Sequence, residues 1–141
     1  MTLLDTNVVI YASDPQAPHH AWARTTIADA VSSRGSVLDA VGLAEVCVGE
    51  ADPATAAERI RSWGVQILDI PAAAAEACAT AYRQYRERRR QESGKDAPAT
   101  PLPDFFIGAH AEVMGWTLAT ADEPRFRTYF PSLRLLTPRG S

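Results

Sequence analysis

Residues 2–10 read Thr2-Leu3-Leu4-Asp5-Thr6-Asn7-Val8-Val9-Ile10, and this stretch decides the kind of fold. A short apolar run typical of a strand is followed by an acid and two polar residues, after which a second apolar run begins. A strand that passes directly into a helix is the unit from which parallel α/β sheets are built. The N-terminus therefore predicts an α/β protein in which Asp5 lies at the carboxyl end of the first strand.

The rest of the chain repeats this alternation. Four further strands are predicted at 36–38, 65–68, 116–119 and 133–136. Helices are predicted at 7–13, 18–32, 41–50, 53–63, 71–92, 104–114 and 123–130. Prolines are expected to begin three of these helices, at Pro18, Pro53 and Pro71. Five strands alternating with helices predict a mainly parallel sheet, and the proline-rich residues 93–103 are expected to form a surface loop.

Length and composition favour a single globular domain over residues 1–141. The 15.3 kDa chain is 46% hydrophobic and 22% charged, and its apolar residues are too scattered to span a membrane. Cys47 and Cys78 are too far apart for a disulfide framework or a zinc cluster and are expected to be small buried residues. The N-terminus lacks the basic start of a secretory signal peptide, so the expected location is the cytoplasm.

Four acids lie where a ligand site is expected in such a fold. The crevice of an open parallel sheet lies beyond the carboxyl ends of its strands, where Asp5 follows the first strand and Asp122 the fourth. Glu45 is the one charge within residues 40–49 and is expected on a buried helix face, while Asp104 is expected to cap a helix. Each acid also has a structural explanation as a cap or a paired charge. Together they favour Mg²⁺ or Mn²⁺ and phosphodiester chemistry, because several carboxylates sharing a crevice require a hard cation.

Other catalytic arrangements remain as alternatives. A metal-free ribonuclease could use His20 and His110 as its acid and base. A receiver-type or phosphatase-type phosphoryl enzyme also places an aspartate after its first strand, but it needs a lysine at the site, and the single lysine, Lys95, lies in the irregular loop. A haloacid-type phosphatase would carry a second aspartate where this chain has Asn7. The sequence contains no phosphate-binding glycine loop and no serine-hydrolase elbow.

Four segments of the sequence resemble the PIN-domain nucleases, and among these the VapC-type toxins of bacterial toxin-antitoxin pairs. Their order and spacing agree over essentially the whole chain. The segments are Leu4-Asp5-Thr6-Asn7-Val8, Leu43-Ala44-Glu45-Val46, Asp104-Phe105-Phe106-Ile107-Gly108-Ala109, and Thr120-Ala121-Asp122 followed by Phe126. The resemblance implies a PIN-like three-layer α/β/α fold over residues 1–141, with a five-stranded parallel sheet in the order 3-2-1-4-5.

The resemblance also implies an activity and its residues. The expected function is a Mg²⁺- or Mn²⁺-dependent endoribonuclease that cleaves RNA in line with a metal-activated water, leaving a 5′-phosphate and a 3′-hydroxyl. The implied catalytic and metal-binding residues are Asp5, Glu45, Asp104 and Asp122. Polar residues that orient the carboxylates or water would be Thr6, Asn7 and Thr120. The implied partners are a second copy of the chain, forming a homodimer, and a VapB-type antitoxin.

Two features stand outside this pattern. Many relatives carry Ser or Thr where this chain has Asp39, which either joins the site or faces solvent. Five arginines within eight positions lead into the irregular loop and form either a solvated helix face or an RNA-backbone contact. These arginines are Arg83, Arg86, Arg88, Arg89 and Arg90.

The overall charge is compatible with RNA as a substrate. The net charge is −3, but residues 1–80 carry 4 basic and 10 acidic groups, whereas residues 81–141 carry 10 basic and 7 acidic groups. A basic surface combined with an acidic metal pocket would give this balance. A non-catalytic PIN-fold module that only binds RNA remains the main alternative.

Overall fold

The computed structural model describes residues 1–139, so the last two residues of the predicted domain lie outside the described part. Strands and helices alternate along the chain. In order they are β1 (Thr2–Leu4), α1 (Thr6–Ser13), α2 (His20–Ser32), β2 (Ser36–Asp39), α3 (Ala40–Val48), α4 (Pro53–Ser62), β3 (Gln66–Leu68), α5 (Ala73–Ser93), α6 (Pro103–Met114), β4 (Thr117–Ala119), α7 (Glu123–Tyr129) and β5 (Leu135–Leu136).

The five strands form one parallel sheet in the order β3-β2-β1-β4-β5, which confirms the order implied by the resemblance. The central strand β1 pairs with β2 on one side and with β4 on the other, where Leu4 lies opposite Ala119. Since parallel strands end at the same edge, the residues that follow β1 and β4 come out side by side. This pairing positions the candidate site.

Apolar side chains on both faces of the sheet produce the three-layer α/β/α architecture. Successive side chains of a strand point to opposite faces, so Leu3 and Leu4 enter different cores. The core around Leu3 is formed with α5, α6 and α7, and the core around Leu4 with α1, α2, α3 and α4. Within residues 1–139, no helix is long and apolar enough to cross a lipid bilayer.

Two predicted helix starts and one burial prediction are wrong. Helix α2 begins at His20 and α5 at Ala73, because Pro18 and Pro71 lie in the segments that lead into these helices. Pro53 does begin α4, as predicted. Of the two free cysteines, Cys78 is buried as expected, whereas Cys47 is only half-buried.

The predicted loop between α5 and α6 is a surface segment with one buried anchor. Ala97 is buried in the core around Leu3, and the Tyr82 hydroxyl donates a 2.7 Å hydrogen bond to the carbonyl of Pro98. This contact fastens the loop to α5.

Helix α6 packs closely against the residue that follows α7. A Cβ atom at Gly108 would lie 2.5 to 2.9 Å from three ring atoms of Phe130, which is well inside van der Waals contact. Phe130 is itself buried, so its ring has little room to move. The glycine in the Asp104 segment therefore allows the close approach of α6 to Phe130.

We predict that Gly108→Ala lowers the free energy of unfolding by about 1–3 kcal/mol, because the new methyl group overpacks the core. Alanine has a helix propensity up to about 1 kcal/mol more favourable than that of glycine, so a lower free energy of unfolding would reflect the clash. The measurement is urea unfolding followed by circular dichroism. Gly49→Ala is the control, since its added Cβ would lie 3.7 Å from the nearest atom. An unchanged unfolding midpoint for Gly108→Ala would contradict the packing argument.

Candidate active site

Asp5 lies at the junction of β1 and α1, with only 3% of its surface exposed. Its backbone N–H donates to the carbonyl of Ala119 at 2.9 Å, which continues the β1–β4 pairing by one residue. Its side chain caps α1: Oδ1 accepts from the Thr6 N–H at 2.8 Å, and Oδ2 accepts from the Thr120 hydroxyl at 2.7 Å. Both carboxylate oxygens are thus held in place at the carboxyl edge of the sheet.

Glu45 reaches the same edge from α3. Its side chain is half-buried, whereas the sequence predicts that it lies on a buried helix face. The Thr6 hydroxyl donates to its Oε1 at 2.6 Å, while the Thr6 backbone N–H donates to Asp5. Thr6 therefore contacts two of the four carboxylates and fixes their relative positions.

Asp122 precedes α7 and is exposed. Its backbone N–H donates to the Thr120 hydroxyl at 2.9 Å, and that hydroxyl in turn donates to Asp5. The neighbouring Ala121 N–H donates to Oδ1 of Asn7 at 3.3 Å. Thr120 and Asn7 thus attach residues 120–122 to the start of α1, which brings Asp122 towards the carboxylates.

Asp104 lies in the first turn of α6 and not at its cap, which corrects the expectation from sequence. Leu102 is the cap residue and Pro103 opens the helix. Its Oδ2 accepts from Nη1 of Arg125 at 3.1 Å, and the side chain is 26% exposed. Asp104 therefore carries a cationic partner from α7.

Arg125 was not singled out by the sequence. Its guanidinium carbon lies 5.4 Å from the ring centroid of Tyr85 and 5.8 Å from that of Phe105, within cation–π range. The sequence could have indicated Arg125 through its position about one helical turn after Asp122. Within residues 1–139, the four carboxylates form a single ion pair, which joins Asp104 to Arg125.

The four carboxylates influence one another electrostatically. Burial is the main cause that raises the pKa of Asp5 to about 7, and the negative charges of Asp104 and Glu45 raise it further against the hydrogen bonds from Thr120 and Thr6. Burial also raises the pKa of Asp104, the Arg125 charge lowers it, and the Asp122 charge raises it. These mutual effects mean that the four side chains share one region of excess negative charge.

The donor chemistry fits a hard divalent cation, although the ligands are not assembled into a compact set. All four side chains offer carboxylate oxygens, which suit Mg²⁺ and Mn²⁺. In the described part of the chain, no three His, Cys, Asp or Glu residues lie close enough together to form a ready metal site. Thr6 engages Glu45 and Arg125 engages Asp104, so both contacts occupy oxygens that a metal would use.

Asp39 and His110 form a buried pair that the sequence did not predict. Nδ1 of His110 is hydrogen-bonded to Oδ2 of Asp39 at 3.0 Å, and each residue is 1% exposed. Asp39 also caps α3 by accepting from the Gly42 N–H at 2.9 Å. Asp39 therefore does not face solvent, and the buried His110 cannot serve with His20 as an exposed acid–base pair. Nδ1 of His20 lies 2.7 Å from the carbonyl oxygen of Tyr11.

The five arginines predicted for RNA contact lie on the C-terminal half of α5, and all are exposed except the half-buried Arg86. Arg88 pairs with Glu92 at 3.0 Å. Arg90 pairs with Asp96 at 3.2 Å and with Glu87 at 3.9 Å. Exposed pairs of this kind are weak and do not prevent contact with a ligand.

We predict that Asp5→Asn stabilises the metal-free protein at pH 8 by on the order of 2 kcal/mol, because it removes a buried charge. The folded wild type holds a proton on Asp5 up to about pH 7, whereas the unfolded chain loses it near the ordinary value of 3.8. Wild-type stability should therefore fall as pH rises from about 4 to 7, and this fall should be smaller in the variant.

The measurement is urea unfolding in EDTA between pH 4 and pH 8. The exposed Asp29 provides the matched control, Asp29→Asn, which should follow the wild-type pH dependence. Parallel curves for wild type and Asp5→Asn would contradict the burial argument.

Comparison with known proteins places this geometry in a family. The family model described as "PIN domain" matches residues 2–129. FitAcB from Neisseria gonorrhoeae is similar in structure, with a TM-score of 0.64 and 25% identity over 99% of each chain. VapBC2 from Rickettsia felis, bound to a promoter DNA fragment, gives a TM-score of 0.62 and 20% identity over 95% of this chain and 96% of the other.

A third similar structure is VapC20 from Mycobacterium tuberculosis, described as a sarcin-ricin loop cleaving toxin. It gives a TM-score of 0.62 and 14% identity over 95% of this chain and 99% of the other. No curated protein sequence matches significantly. The family model spans the strands β1 and β4 that precede Asp5 and Asp122, and the helices α3 and α6 that carry Glu45 and Asp104. The chain therefore belongs to the PIN domain family.

Proposed function

We propose that the chain is a metal-dependent endoribonuclease and the toxin of a type II toxin-antitoxin pair, with residues 1–141 forming a single PIN domain. The observation that carries this proposal is the group of four electrostatically coupled carboxylates at the carboxyl edge of the sheet. Asp5 is nearly inaccessible to solvent, and its burial, together with the charges of Asp104 and Glu45, raises its pKa. A structure that concentrates negative charge in this way is suited to bind a divalent cation.

The residues that would hold Mg²⁺ or Mn²⁺ are Asp5, Glu45, Asp104 and Asp122. When bound, the ion would supply the positive charge that activates water and stabilises the charge developing on a phosphodiester. Thr6 and Thr120 orient Asp5 through the two hydrogen bonds described above, and Thr6 also orients Glu45. Asn7 keeps residues 120–122 in place. These contacts preorganise the carboxylates, which is what electrostatic catalysis requires.

RNA is the substrate that the charge distribution supports. The acidic groups are concentrated in residues 1–80 and the basic groups in residues 81–141, which include the arginines of α5. Cleavage by this chain is further supported by the likeness to a loop-cleaving toxin.

The similar structures support an antitoxin as a partner of this chain. VapBC2 and FitAcB are complexes named for two components. We infer that this chain binds an antitoxin of the VapB type and forms a homodimer in the cytoplasm.

Two other functions have less support. The Asn7 amide binds the backbone of Ala121, so the position where a haloacid-type phosphatase carries its second aspartate has a structural role here. A module that only binds RNA would not need a buried carboxylate whose pKa is raised by burial and by the charges of Asp104 and Glu45, since that arrangement costs stability.

We predict that the purified protein cleaves RNA in Mg²⁺ or Mn²⁺, and that Asp5→Asn and Glu45→Gln each lower the rate by about 100-fold or more, since each removes a charged ligand. The measurement is the decay of a labelled RNA on denaturing gels, with and without EDTA.

Matched controls are available on exposed helix positions. Asp29→Asn and Glu76→Gln make the same chemical changes at exposed positions and should retain wild-type cleavage. Cleavage in EDTA, or equal cleavage by wild type and the site variants, would overturn the assignment of the metal site.

We also predict that Mn²⁺ raises the melting temperature of the wild type, because it binds only the folded state. At 100 times the Kd the stabilisation is about 2.7 kcal/mol, which corresponds to about 10 °C for a chain of this size. Glu45→Gln should show a smaller shift at the same Mn²⁺ concentration, whereas Glu76→Gln should match the wild type. A wild-type melting temperature that does not respond to Mn²⁺ would contradict a metal site in the free protein.

A further inference from the structure

A surface groove of about 420 Å³ lies between α5 and α7. We call it the α5–α7 groove. It is lined by two tyrosines, three basic residues and one acid, together with Ser93. These six side chains are Tyr85, Tyr129, Arg88, Arg89, Lys95 and Glu92.

The groove has a positive charge that is only partly balanced. Arg88 pairs with Glu92 at 3.0 Å, and both side chains remain more than half exposed. Arg89 donates to the Tyr85 hydroxyl at 3.1 Å and keeps its charge. Lys95, exposed at the start of the loop, adds a further charge. The surplus of positive charge is complementary to the successive phosphates of a nucleic-acid strand.

The groove also offers aromatic surface. The rings of Tyr85 and Tyr129 lie edge to face, with centroids 5.8 Å apart, and both residues are half-buried. The Tyr85 ring already stacks on Tyr82 with centroids 5.6 Å apart, so the exposed part of the Tyr129 ring is the main aromatic surface of the groove. Basic side chains interleaved with aromatic rings are typical of surfaces that bind single strands, because unpaired bases stack on the rings.

Tyr85 connects the groove to the four carboxylates. Arg125 lies over the Tyr85 ring at 5.4 Å and donates to Asp104 at 3.1 Å. The chain of contacts thus runs from the groove through one ring and one guanidinium to a carboxylate of the candidate site.

We propose that the α5–α7 groove binds the single-stranded RNA that the site cleaves. This inference rests on the proposed ribonuclease function and specifies where its substrate binds. It also separates the arginines of α5, which the sequence alone treats as equivalent. Arg89 lines the groove, whereas Arg83 lines a second surface pocket. That pocket is lined by two arginines and two glutamates and has no aromatic side chain.

The test uses the full chain with Asp5→Asn, which should bind RNA without cleaving it. The probe is a fluorescein-labelled single-stranded RNA, and its anisotropy is measured over a series of KCl concentrations. We expect Arg89→Ala and Lys95→Ala each to weaken binding about threefold to tenfold and to lower the salt slope by about 0.7, the value for one lost contact with a single strand. The control Arg83→Ala should bind like the parent.

Tyr129→Leu tests the stacking contribution separately from charge. We expect weaker binding with an unchanged salt slope, since stacking releases no counterions. Unlabelled polyglutamate, an acidic polymer without bases, should compete poorly at equal charge. Competition as strong as that of unlabelled RNA would identify a site for acidic polymers in general and overturn the proposal.

The outcomes separate this inference from the proposed function. If the wild type cleaves RNA but Arg89→Ala and Arg83→Ala bind equally, the groove is not the substrate site and the nuclease proposal stands. If the parent binds RNA through Arg89 and Lys95 while the wild type does not cleave it, the groove is supported and the nuclease proposal fails. An absence of both binding and cleavage overturns the two together.

Discussion

A buried carboxylate at the end of β1 is the constraint on which the rest of the structure depends. Parallel pairing places Leu4 opposite Ala119, so Asp5 and Thr120 leave the sheet side by side. The Thr120 hydroxyl and the Thr6 N–H then hold the Asp5 carboxylate where solvent barely reaches it. Helix α1 begins at this point, and the turn that precedes α7 is attached to it. The same hydrogen bonds that end one strand and cap one helix therefore also build the candidate site.

Charge at this edge is balanced only in part by the protein itself. Burial and like charges raise the pKa of Asp5, and the guanidinium of Arg125 opposes the corresponding rise for Asp104 alone. Carboxylates in this situation are stabilised by a bound proton or by a bound cation. Folding creates this repulsion, and a bound proton or a bound cation would each relieve it, so both would be linked to folding.

The sequence predicted the strands, and with them the places of Asp5 and Asp122 after β1 and β4, because apolar runs identify strands and the residues that follow them lie at the carboxyl edge. The cap position expected for Asp104 was wrong, because Leu102 and Pro103 begin that helix. The strand order came from the resemblance, since periodicity does not determine which strands pair. Arg125 and the pair of Asp39 with His110 could not be predicted, because their contacts join residues 21 and 71 positions apart. The proline errors have a local cause, since a proline near a helix start fits the turn that precedes the helix as well as its first residue.

Asp5 and Asp39 show how the same local chemistry leads to different roles. Each lies where a strand ends, and each caps the helix that follows. The difference comes from the partner that the fold brings to the remaining oxygen. The second Asp39 oxygen is hydrogen-bonded to the imidazole of His110, whereas the second Asp5 oxygen accepts from a neutral hydroxyl and lies in the field of other acids. A carboxylate paired with a histidine in the core is available to neither metal nor substrate. The excess charge that a cation would recognise is therefore confined to the edge formed by β1 and β4, although β2 also ends in an aspartate.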